Sequence, residues 1–136
     1  MRQLIAKVGT LWILFLGLAV GCAQFNPIAR ADTTQQKALA AYGSLVIGVE
    51  QISELLRPDT LPDNVQERLI ALAERSAALA SAGLAAYNQA EEARADFAAD
   101  VAAEGRLTAA LNNLDGWVTR AEPVVNDLKA AIRGAQ

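Results

Sequence analysis

Four carboxylates, Glu92, Asp96, Asp100 and Glu104, recur at four-residue intervals. On a continuous helix that spacing puts them on one face, with neighbouring side chains about 6 Å apart. Acid catalysis of the glycosidase kind asks for two carboxylates at that scale, and calcium asks for clustered oxygen ligands. Alanines surround the row, and no aromatic sugar platform stands beside it. A solvated face is therefore the first reading, a docking face for a basic partner the second, and catalysis or calcium the last. The chain has no histidine and one cysteine, Cys22. Nucleophilic catalysis assisted by imidazole, the usual zinc clusters and haem attachment through a cysteine pair all lack their parts. A non-enzymatic protein without a cofactor is expected.

The composition agrees with that expectation. Of 136 residues 53% are hydrophobic but only 5% aromatic, and much of the apolar share is alanine. Such a chain fills its core through close helix contacts and a sparse set of Leu, Ile and Val, which favours slender helices over an enzyme cleft. Of the 12 basic residues Arg2 and Lys7 lie at the extreme N-terminus; without them the remainder stands against 15 acidic residues at a net charge of −5. A nucleic-acid partner is not expected, because that binding rests on a basic surface that neutralises phosphates.

The positioning elements begin with a segment that is not part of the fold. Arg2 and Lys7 precede an apolar run, Leu11 to Val20, of the length of a signal-peptide core. A membrane span asks for roughly 20 apolar residues; stretched from Val8 to Ala23 the segment has fewer. Immediately after the run stands Ala19-Val20-Gly21-Cys22. This resembles the lipobox of bacterial lipoproteins, with the usual leucine one place early at Leu18. The resemblance implies cleavage before Cys22, lipid on its thiol and new amine, and anchoring by several acyl chains, which is stable where a single chain is marginal. Ala23, in place of an aspartate, implies transfer to the periplasmic face of the outer membrane. Two other readings stay open: ordinary secretory cleavage after Ala29-Arg30-Ala31, and an uncleaved anchor.

The expected organisation is a signal peptide over 1–21, a lipid-attached tether over 22–33 and a helical domain over 34–136. Pro27 and the lack of period from Ala23 to Asp32 mark the tether, which spans at most about 35 Å. Thr33 and Gln36 predict a capping box. Helix one carries Ala38, Tyr42, Leu45, Val49, Ile52 and Leu56 on one stripe. Gly43 and Gly48 interrupt it at about 1 kcal/mol each, which predicts close approach of another helix at both. Arg57-Pro58 should end it, with Pro62 opening the next helix and Asp63 to Gln66 capping it.

Helix two carries two stripes, Val65 to Phe97 through Leu69, Ser76 and Gly83, and Ile70 to Tyr87 through Ala77, Ala80 and Leu84. A face this wide suits the middle helix of three. With no strong breaker before Gly105 it is expected to run some 40 residues, about 60 Å. It then bends near Asn88 or projects past helix one under the cover of helix three. Helix three has a heptad from Leu107 to Ile132, with a weak point at Asp115-Gly116, and Pro123 predicts a kink or split. Trp117 and Tyr87 fall on or beside the stripes and read as core. The predicted fold is all-α, an antiparallel three-helix bundle or coiled-coil-like, with intramolecular packing preferred to a homo-oligomeric coil of the third helix.

Taken together, the residues point to a membrane-anchored envelope scaffold or protein-interaction module, with the lipid on Cys22 as its membrane contact and an envelope protein as its partner. Small bacterial envelope lipoproteins share this plan, although the chain lacks the terminal lysine of the major peptidoglycan-linked lipoprotein. The alanine-rich helices also resemble small phage and prophage proteins, which implies a surface lipoprotein that excludes a second infection. Cleavage at Ala31 would instead release a soluble module sheltering a hydrophobic ligand.

Overall fold

The computed structural model describes residues 33–136. The expected signal peptide, Cys22 and nearly all of the expected tether lie outside the described residues. The protein is all-α: helix α1 is Thr34–Leu56, α2 is Asp63–Ala99, a 3₁₀ turn follows at Val101–Ala103, and α3 is Glu104–Ala135. Each long helix packs on the other two, and no strand occurs among the described residues.

The capping box at the start of α1 forms as the residue types dictate. The Gln36 amide donates to the Thr33 hydroxyl at 3.2 Å, and the Thr33 amide donates to the Gln36 side chain at 3.2 Å. Ala38, Ala41, Leu45, Gly48 and Ile52 are buried along its inner side. Tyr42, Val49 and Leu56 flank that line half-buried.

The reversal after α1 differs from the sequence expectation. Proline disfavours a helical residue before it, yet Arg57 keeps helical angles, φ −59 and ψ −39. The chain turns two residues later, at Asp59, whose φ of 49 is in the left-handed region. Pro62 stands just before α2 instead of inside it, and no side chain caps that helix. Gln66 has other work: its side-chain amide donates to the Asp59 carboxylate at 2.9 Å and to the Leu61 carbonyl at 2.8 Å, fastening the loop. Asp63 in the first turn complements the helix dipole. Asp59→Val puts a branched side chain at a left-handed position and should cost about 1–2 kcal/mol. Asp59→Asn should stay within about 0.5 kcal/mol of wild type, since Asn tolerates that conformation. Urea denaturation of the two variants measures the difference.

α2 is the middle helix. Leu69, Ser76, Ala80, Gly83, Ala86, Ala90 and Ala93 are buried along it. The Ser76 hydroxyl, fully enclosed, donates to the Leu72 carbonyl at 2.7 Å, so its burial leaves no unmet polar group. The second predicted stripe is only partly used: Ala80 is buried and Tyr87 half-buried, while Ile70, Ala77 and Leu84 face outward. α2 ends at Ala99, before Gly105, because Asp100 leaves the helix (φ −148, ψ 117) and its carboxylate accepts from the Ala102 amide at 3.0 Å. The far end of α2 projects past α1 and is covered by the 3₁₀ turn and α3, with Ala93 and Ala103 buried there.

α3 is not split. It runs without a break from Glu104 to Ala135 through Asp115, Gly116 and Pro123. Pro123 and Thr119, whose carbonyl loses its partner to the proline, both lie on the exposed side. Water can satisfy that carbonyl there, so the interruption costs less than it would in the core. The inner side of α3 supplies Leu114, Trp117, Val118, Ala121, Val124, Val125, Leu128 and Ile132 to the core. The heptad of the third helix is thus consumed within the chain.

Two glycines admit α3. A Cβ on Gly83 would lie 2.1 Å from the Trp117 ring, and one on Gly48 would lie 2.8 Å from Leu128 Cδ1. Gly43 differs from the expectation made for it: a Cβ there meets nothing within 4 Å.

Candidate functional site

The four carboxylates do not form one row. Glu92 and Asp96 share α2, Asp100 is extended and caps the 3₁₀ turn, and Glu104 is the first residue of α3. The helix they were expected to share stops between Asp96 and Asp100, because an aspartate competes well for backbone amides at a helix boundary. Asp96 is paired with Arg106 at 2.9 Å, both groups largely in solvent. Such a pair contributes at most about 1 kcal/mol. Among the described residues no three acidic or thiol groups are placed to hold a metal ion. The docking face predicted at Glu92, Asp96, Asp100 and Glu104 is not the face of a single helix, and all four residues are exposed. Cys22 lies outside the described residues.

The feature that stands out is apolar and lies elsewhere. Between Lys37 and Glu50 α1 carries no charge, and between Arg75 and Glu91 α2 carries none. These two stretches lie side by side, antiparallel. The register is fixed at one end by Gln35, whose side chain donates to Glu91 at 2.8 Å and accepts from Arg94. On the outer side of this belt, large aliphatic residues are left in solvent: Leu39 is 52% exposed, Val46 42%, Ile47 56% and Leu84 45%. A shallow groove of about 360 Å³ runs between the helices, lined by Tyr42, Val46 and Val49 from α1 and by Ala77, Ala80, Ser81 and Leu84 from α2. Its lining has no carboxylate, amine or guanidinium.

The belt is one-sided. Alongside it α3 exposes Arg120, Glu122 and Asp127. α1 and α2 are each long and apolar enough in composition to cross a membrane, with mean hydropathy 1.2 and 1.3 in their most apolar windows, yet only 22% and 28% of those windows is buried in the bundle. The bundle therefore spends only part of the apolar surface its helices carry. Single exposed aliphatic residues need no explanation, but a contiguous patch free of charge does.

The inner stripe expected from the sequence holds Tyr42, Leu45 and Val49, and Leu39, Val46 and Ile47 fall outside it. Val46 joins Tyr42 and Val49 on the flank of α1 that meets α2, and Leu39 and Ile47 lie further round the helix from Leu45 and Ile52. No known protein family, curated protein or solved structure matches the chain.

Proposed function

We propose that this chain is a non-enzymatic lipoprotein of the bacterial envelope: a small helical module held at a membrane by lipid on Cys22, most consistent with the periplasmic face of the outer membrane, and acting through protein contact. The observation that carries the reading is the position of Gly21-Cys22 directly behind the apolar run Leu11 to Val20. Two features support it. The helical domain opens at a capped helix start beside Thr33, a short tether away from Cys22. Its groove, lined by aliphatic side chains with the hydroxyls of Tyr42 and Ser81 and no charged group, is suited to an apolar protein surface.

Intact mass of the membrane-extracted protein tests the anchor. Wild type should begin at Cys22 and carry added acyl mass, and Cys22→Ser should lose that mass and accumulate with its leader uncleaved. An unmodified start at Asp32 in both proteins would overturn the lipoprotein and put a secreted helical module in its place.

A further inference from the structure

We draw no further inference here: the strongest candidate, the apolar surface patch on the outer side of α1 and α2 around Leu39, Val46, Ile47 and Leu84, is an exposed face of the bundle, and nothing in the structure shows what covers it.

Discussion

Gly83→Ala should be among the most damaging single substitutions in this protein, although alanine is the better helix former. The change adds one methyl group in the middle of α2, where propensity alone would return about 1 kcal/mol. That methyl would sit 2.1 Å from one carbon of the Trp117 ring and 2.2 Å from another, distances no relaxed structure tolerates. The ring cannot rotate aside, because Trp117 is 1% exposed and its indole N–H donates to the Leu79 carbonyl at 2.8 Å. Either α2 and α3 separate or the indole leaves its seat, and the expected net loss is about 3 kcal/mol. For a domain of this size that is a fall of more than roughly 10 °C in thermal midpoint. Gly48→Ala is the control. Its new methyl meets the tip of Leu128, a side chain with other rotamers, at 2.8 Å. That substitution should stay within about 1 kcal/mol of wild type. Thermal unfolding of the two variants followed by circular dichroism decides it; equal effects would mean that the Gly83 seat is not specific.

The bundle was legible in the sequence where a local rule and the hydrophobic period agree. Thr33 and Gln36 form the predicted box, Leu114 to Ile132 face inward on the predicted heptad, and Ser76 and Gly83 fall on the predicted buried line. It was less legible where a breaker's effect depends on which way it faces. Pro123 would split a helix whose carbonyl at Thr119 was buried, but the period that puts Val124 and Val125 inside puts Pro123 outside. Asp100 shows the opposite case. It has the chemistry of a capping residue, and its place in an even row of carboxylates masks the bond it accepts from the amide of Ala102.

The candidate surface shows a further limit. A period of 3.6 residues identifies an inner stripe without saying how many sides of a helix are inner. Leu39, Val46 and Ile47 are as apolar as Leu45 and Ile52, and only the positions of α2 and α3 decide which are covered. Gly43 and Gly48 are alike in sequence, and only the tertiary fold separates the glycine that receives Leu128 from the one that receives nothing.

Trp117→Ala should cost about 3–5 kcal/mol, the usual loss when a buried indole is removed. Trp117 is the largest fully buried side chain in the described domain, and it is the one that joins α3 to α2 by both packing and a hydrogen bond. Its removal leaves a cavity bordered by Gly83 and by the backbone near Leu79, and helix backbones close such a space poorly. The informative measurement is the double substitution. If Gly83→Ala is harmful only because of the indole, it should cost nothing in the Trp117→Ala background and should even recover part of the loss, since the methyl then enters empty space and restores helix propensity. The coupling between the two sites should therefore exceed about 2 kcal/mol. Urea denaturation of the four proteins gives that number directly. Additive losses would show that the glycine matters for the α2 backbone itself, and that α3 could approach without it.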